Sequence, residues 1–189
     1  MIHLYLVRHT SVAAPAGTCY GQTDVALAVT FSAEAEVVRN TIKGIPFDAV
    51  YSSPLSRCTK LAERCGFADC PTDARLMEMH FGDWENRRWS DIGDPHLQRW
   101  FDAWATERAT NGESFADVCH RASDFINSQS WDGEDVRMLL FTHAGFIRAL
   151  WVALGMRSPE EAFAQQVNYG AVVKVVLDER SSPANSLED

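Results

Sequence analysis

Two kinds of apolar pattern alternate along the chain: short near-continuous runs, and longer stretches with apolar positions three or four apart. Ile2–Val7 and Val136–Phe141 are the clearest runs, and each predicts a buried strand. Phe47–Tyr51 predicts a second strand between them, Thr72–Leu76 a weaker one. A closing pair flanks Asn168-Tyr169-Gly170, ending with Ala171–Leu177. Helical spacing predicts Ser32–Lys43, stopped by Gly44 and Pro46. A second helix is expected from Ser53 as N-cap, with Pro54 at its first position. Further helices are expected at His96–Glu107, Ser114–Ser128 and Gly145–Leu154.

Strands alternating with helices imply an α/β protein: a three-layer sandwich with a mostly parallel sheet flanked by helices. The chain of 189 residues suits one domain with a full core, expected over residues 1–178, with an acidic, serine-containing flexible tail over 179–189. The Met77–Asn111 segment is interrupted by Gly82, Gly93 and Pro95 and is longer than a plain crossover needs, so it is a candidate cover for a site. Trp100, Phe101 and Trp104 have helical spacing, which makes packing their default role.

Charge narrows the partners. With 17 basic and 26 acidic side chains the net charge is −9, which argues against a nucleic-acid or anionic-membrane surface. A phosphate ligand stays open, because salt screens distant acidic charge beyond about 10 Å. The opening Met1–Val7 lacks a basic n-region and no apolar stretch of membrane-spanning length occurs, so neither a signal peptide nor a membrane span is expected. Five scattered cysteines without CxxC spacing fit reduced thiols in a cytoplasmic protein.

Two histidine motifs carry the chemistry. Val7-Arg8-His9-Thr10 and Phe141-Thr142-His143-Ala144-Gly145 each stand at the end of a predicted strand. Ligands of open α/β sheets gather at the carboxyl ends of strands. Arg57 follows the second strand in Ser52-Ser53-Pro54-Leu55-Ser56-Arg57. Phosphoryl transfer needs a nucleophile, positive groups on the phosphate oxygens and a proton for the leaving oxygen. His9, Arg8, Arg57 and His143 are candidates for the first two needs, with cationic neighbours expected to keep His9 neutral. Glu78, among Met77, Met79, Phe81 and Trp84, is a candidate desolvated acid; Asp83 and Glu85 are close alternatives.

These residues resemble the motifs of the histidine phosphatase superfamily, of phosphoglycerate-mutase-like fold, over nearly the whole chain. The resemblance implies a phosphohistidine nucleophile at His9, a phosphate clamp of Arg8, Arg57 and His143, and a proton donor at Glu78. Gly17-Thr18-Cys19-Tyr20-Gly21-Gln22-Thr23-Asp24-Val25-Ala26-Leu27 is similar to the corresponding loop of α-ribazole phosphatases. That resemblance implies substrate contacts at Gly21 and Gln22, and Ala144 is a further candidate contact. Asn86 stands where relatives often carry glycine, and Asn111-Gly112-Glu113-Ser114 is a variant of a Gly-Gly-Glu-Ser segment.

The reading that follows is a metal-independent phosphomonoesterase without cofactor. It acts on a small phosphorylated metabolite, α-ribazole 5′-phosphate in cobalamin nucleotide-loop assembly, with a homodimer as one possible state. The alternatives are a broad-specificity phosphatase or a phosphoglycerate mutase-type phosphotransferase. A zinc site of His9, His143 and Glu78 is disfavoured by Arg8 and Arg57, and a non-catalytic phosphate-binding module by the intact set of reactive groups.

Overall fold

The computed structural model describes residues 1–131 and 135–177. In chain order these form β1 (Ile2–Arg8), β2 (Thr18–Cys19), α1 (Phe31–Ile42), β3 (Ala49–Ser52), α2 (Ser56–Arg64), β4 (Arg87–Arg88), α3 (His96–Asp102), α4 (Phe115–Asn127), β5 (Val136–Thr142), α5 (Ala144–Ala153), α6 (Pro159–Ala164) and β6 (Val172–Leu177). Among the described residues the main sheet runs β3-β5-β1-β6, with β2 and β4 paired separately. β1 and β3 both run parallel to β5, and β6 is antiparallel to β1. The sheet is therefore mostly parallel, with helices on both faces.

The two-residue alternation of strands explains the two faces. Leu4 and Leu6 of β1 point into one layer with Met138, Leu140, Phe125, Phe146, Ile147 and Leu150. Val7, Leu139 and Phe141 point into the other with Val38, Cys58 and Leu61. Both faces of β5 are covered, so its apolar run has no polar alternation. Truncating any of these buried leucines to alanine costs about 2–5 kcal/mol.

Register decides where the chemistry goes. Arg8 lies opposite Thr142 and Ser52 opposite Phe141, so the strand ends come out level. The ladder continues one residue further: His9 N–H donates to Thr142 O at 3.0 Å and Ser53 N–H to Phe141 O at 2.8 Å. His9, Ser53 and His143 thus emerge side by side at one sheet edge. The antiparallel β6 begins at that edge, and Gly170 N–H donates to His9 O at 3.1 Å.

Several expectations are corrected. The helix after β3 begins at Ser56, not beside Ser53, and its N-cap Leu55 gives no side-chain bond. A carboxylate from another loop caps it: Asp24 accepts from Ser56 N–H at 2.9 Å and from its hydroxyl at 2.7 Å. Thr72–Leu76 makes a single bridge to Ser52 and then a 3-10 turn over Ala74–Leu76. The helix from His96 stops at Asp102, where Ala103 leaves helical geometry and Trp104 packs onto Phe163 at 4.2 Å between ring centroids. Among the described residues one strand, β6, follows Asn168; the chain before it forms α6, opened by a Ser158 and Glu161 capping box. Ser114 caps α4 through the same device with Asp117. The tail expected over 179–189 lies outside the described residues.

Candidate active site

His9, Arg57 and His143 are all but completely buried, at 1 %, 0 % and 0 % exposure, in a protein where such groups need partners. The His9 ring bonds the Thr10 carbonyl through Nδ1 at 2.7 Å. A carbonyl only accepts, so Nδ1 carries the hydrogen and Nε2 keeps the lone pair. Burial, then Arg57 and Arg8, lowers the His9 pKa from 6.5 to about 3, against the Thr10 bond. Cations contribute to neutrality as expected from sequence, but desolvation is the larger cause.

The His143 ring centroid lies 5.2 Å from that of His9. Its Nδ1 faces Arg57 Nε at 3.3 Å and its Nε2 faces Ser53 Oγ at 2.8 Å. The guanidinium can only donate, so Nδ1 accepts, and Nε2–H donates to the serine. Burial, followed by His9 and Arg57, pushes the His143 pKa well below 6.5. Cys58 Sγ sits 3.5 Å from the same Nε2, its own pKa pushed up by burial.

Arg57 also donates to Thr23 O at 2.9 Å and to Gly21 O at 2.5 Å, which fixes the guanidinium plane. Arg8 donates to Val167 O at 2.5 Å and lies 3.8 Å from the Tyr169 ring centroid. Its Nε is buried with no hydrogen-bond partner among the described residues. An oxyanion between the two guanidiniums would supply that partner. Tyr20 and Tyr169 join hydroxyls at 3.0 Å, one ring near each arginine.

Glu78 reaches the site from the segment after the Ala74–Leu76 turn. Its carboxylate accepts from its neighbour Met79 N–H at 2.9 Å and from Gly145 N–H, at the start of α5, at 3.2 Å. The expected cage of Phe81 and Trp84 is elsewhere, in a cluster with Cys19, Ile92, Trp89 and Trp100. A Cβ at Gly145 would fall on the Glu78 carboxyl, so glycine is required for this approach.

The two alternatives to Glu78 part ways. Asp83 accepts from the Asn111 amide at 2.8 Å, at an exposed position. Glu85 accepts from Gln22 N–H at 2.9 Å, Thr23 N–H at 2.7 Å, Thr23 hydroxyl at 2.5 Å and Phe81 N–H at 3.0 Å. It pins the 21–23 loop whose carbonyls hold Arg57. Gly21 is enclosed so tightly that a Cβ would strike Glu85, the Met79 carbonyl and Phe81.

Gln22 and Ala144, both expected to contact substrate, also have contacts within the protein. The Gln22 amide donates to Glu78 O at 3.0 Å. Ala144 is buried in the core cluster with Phe146 and Ile147. Sequence reading missed Arg121 altogether. It donates to the carbonyls of Arg75 and Met77 at 2.6 Å and of Glu78 at 3.0 Å, and pairs with Glu113 at 2.9 Å. An arginine on a helical face carries no sign of distant carbonyls. Ser53 was read as a helix cap, which hid its bond to His143.

Asn86 and Asn111 occupy left-handed backbone, at φ 64° and 57°. Asparagine is the side chain best able to replace glycine there, so both departures from the glycine pattern preserve the turn. Trp100 and Phe101 pack with Trp89, and Trp104 with Phe115 and Phe163. Among the described residues no three His, Cys, Asp or Glu side chains converge to hold a metal ion, and no helix is long and apolar enough to cross a membrane.

The comparisons with known proteins agree with this geometry. The family model described as histidine phosphatase superfamily (branch 1) matches residues 4–189. The chain is 29% identical over 156 residues to the adenosylcobalamin/alpha-ribazole phosphatase of Salmonella typhimurium, covering 79% of this chain and 77% of that protein. It is 28% identical over 181 residues to a 2,3-bisphosphoglycerate-dependent phosphoglycerate mutase of Brucella anthropi, covering 87% and 86%. The crystal structure of a putative alpha-ribazole-5′-P phosphatase from Escherichia coli superposes with a TM-score of 0.82 at 25% identity, covering 95% of this chain and 92% of that one.

Proposed function

The chain belongs to the histidine phosphatase superfamily and is a phosphatase, and we propose that it hydrolyses a phosphomonoester through a phosphohistidine at His9 without a metal. The observation that carries this reading is the His9 ring itself. Its Nδ1 hydrogen is engaged by Thr10, and Nε2 keeps its lone pair beside two fixed guanidiniums.

Nε2 attacks phosphorus as the ester P–O bond breaks, and Glu78 gives its proton to the leaving oxygen. Arg8 and Arg57 hold the phosphoryl oxygens, the buried Arg8 Nε gaining an acceptor that none of the described residues supplies. Neutral His143 keeps Nδ1 as acceptor for Arg57 Nε and so holds that guanidinium against the phosphoryl oxygens. Water then attacks phosphorus, giving its proton to Glu78 as the P–N bond breaks, and phosphate leaves with His9 neutral.

We infer α-ribazole 5′-phosphate as the substrate, in assembly of the cobalamin nucleotide loop. The similarity to alpha-ribazole phosphatases and the 17–27 loop support it. One domain over 1–178 working in the cytoplasm fits this role. Incubation with α-ribazole 5′-phosphate in EDTA should release inorganic phosphate, and His9→Ala should abolish release. Turnover unchanged in His9→Ala would exclude His9 as nucleophile. Isomerisation of phosphoglycerates without phosphate release would replace hydrolysis with phosphotransfer.

A further inference from the structure

We propose that the hydroxyls of Tyr20 and Tyr169, bonded to each other beside the two phosphate arginines, part when substrate binds and each donate to the phosphoryl group. The inference rests on the phosphatase reading, since it adds two residues to the same phosphate site.

Placement gives the first argument. The Tyr169 ring centroid lies 3.8 Å from the Arg8 guanidinium carbon and 5.6 Å from the centre of the His9 ring. The Tyr20 ring centroid lies 5.3 Å from the guanidinium carbon of Arg57. The backbone that carries each tyrosine also fixes the group beside it. Gly170 N–H donates to His9 O at 3.1 Å and Arg8 N–H to Ala171 O at 3.0 Å, so the turn bearing Tyr169 is stitched to the end of β1. Tyr20 immediately precedes Gly21, whose carbonyl accepts from Arg57. The two hydroxyls, 149 residues apart in sequence, meet at 3.0 Å and close a circuit through Arg8, His9, His143 and Arg57. A phosphoryl group bonded to His9 and held by both arginines lies within that circuit, beside both rings.

The count of donors gives the second. Each phenol has one O–H to donate. Within the pair one hydroxyl donates and the other accepts, so one O–H has no acceptor among the described residues. Burial, then the bond to Tyr169, pushes the Tyr20 pKa up, so this phenol keeps its proton at neutral pH. Arg57 meanwhile gives hydrogens to Gly21, Thr23 and His143, and Arg8 gives one to Val167. Contacts within the protein thus occupy part of the clamp, and two phenols add donors to it without adding charge.

Strength gives the third. The bond between the hydroxyls is neutral and exposed, where water replaces it at little cost. Bonds from the same hydroxyls to a phosphoryl dianion are charge-assisted and roughly twice as strong. Exchanging one weak bond for two stronger ones favours parting. Tyr169 is 41 % exposed, so its ring has room to turn.

Tyr20→Phe, Tyr169→Phe and the double variant test this on the intact enzyme, because phenylalanine keeps each ring against its arginine. Binding of inorganic phosphate, followed by calorimetry, needs no turnover and is the first readout. Each single variant should weaken it about three- to tenfold and raise KM for phenyl phosphate in step, with the melting temperature unchanged. The double variant should lose more than the product of the single losses, because the first substitution also removes the bond that must break. Phosphate affinity within about twofold of wild type in both single variants would overturn the proposal. So would a double loss no larger than one single loss, which would mean a pair acting as one fixed unit. The phosphatase reading is judged separately, by phosphate release from phenyl phosphate and its loss in His9→Ala.

Discussion

The Nε2 nitrogen of His143 lies 2.8 Å from the hydroxyl of Ser53, which anchors the ring face that Arg57 does not use. With Nε2 donating to the serine, Nδ1 is left as the acceptor for Arg57 Nε at 3.3 Å. Arg57, which can only donate, therefore sets the tautomer, and the Ser53 hydroxyl, which can donate or accept, anchors the Nε2–H.

Replacing Ser53 with alanine should remove that anchor. A buried Nε2–H would lose its acceptor while Arg57 still holds Nδ1, and the ring would be less firmly oriented. The expected result is a fall in kcat of about tenfold to a hundredfold, on the scale of losing one preorganised group, with KM little changed. Steady-state kinetics on a phosphomonoester would show it. Threonine, which keeps the hydroxyl, should recover most of the rate.

Gly145→Ala should act on Glu78 alone. The added methyl meets the Glu78 carboxyl and must displace it, while His9 and the arginines are untouched. Proton donation matters most for poor leaving groups. We expect a loss of at least tenfold on alkyl phosphates and a smaller one on p-nitrophenyl phosphate, whose phenolate leaves without help. Equal losses on both esters would show that the variant disturbs more than the acid.

Glu85→Ala should loosen the loop that holds Arg57. Four hydrogen bonds from Gln22, Thr23 and Phe81 lose their acceptor. Unsatisfied groups at such half-buried positions cost about 1–3 kcal/mol each where water cannot replace the partner. Melting followed by circular dichroism should fall by several degrees, and inhibition by inorganic phosphate should weaken.

Buried neutral histidines give a pH signature in stability. His9 has a folded pKa of about 3 against 6.5 when exposed, and His143 is lowered in the same sense. Above 6.5 both states carry neutral rings, so stability is level. As pH falls below 6.5 the unfolded chain takes up protons that the folded chain refuses, and stability drops. Urea midpoints should decline between pH 6.5 and 5, before most carboxylates titrate. His9→Asn should make that decline shallower; an unchanged slope would contradict the buried neutral state.

Much of the site was legible because strand ends announce themselves. Val7-Arg8-His9 and Phe141-Thr142-His143 follow apolar runs that only a sheet interior accommodates, and residues after such runs must emerge at its edge. Arg57 was legible as a cation beyond the second strand. Glu78 was separable from Asp83 and Glu85 only through family resemblance, since three carboxylates in eight residues present the same local chemistry. Helix limits were read less well where a cap came from elsewhere, as Asp24 does for α2.

By itself, the sequence determined the alternation of strands and helices, the side chains at strand ends and the kind of chemistry they support. These depend on local periodicity and on residue type. Tertiary structure alone decided the register that sets Arg8 level with Thr142, the serine that anchors the His143 ring, the glycine that admits Glu78, and the Glu85 clamp on the 21–23 loop. Each is a directional contact between residues tens of positions apart. A hydrogen bond has length and angle, and no pattern along one chain records either until the strands are packed.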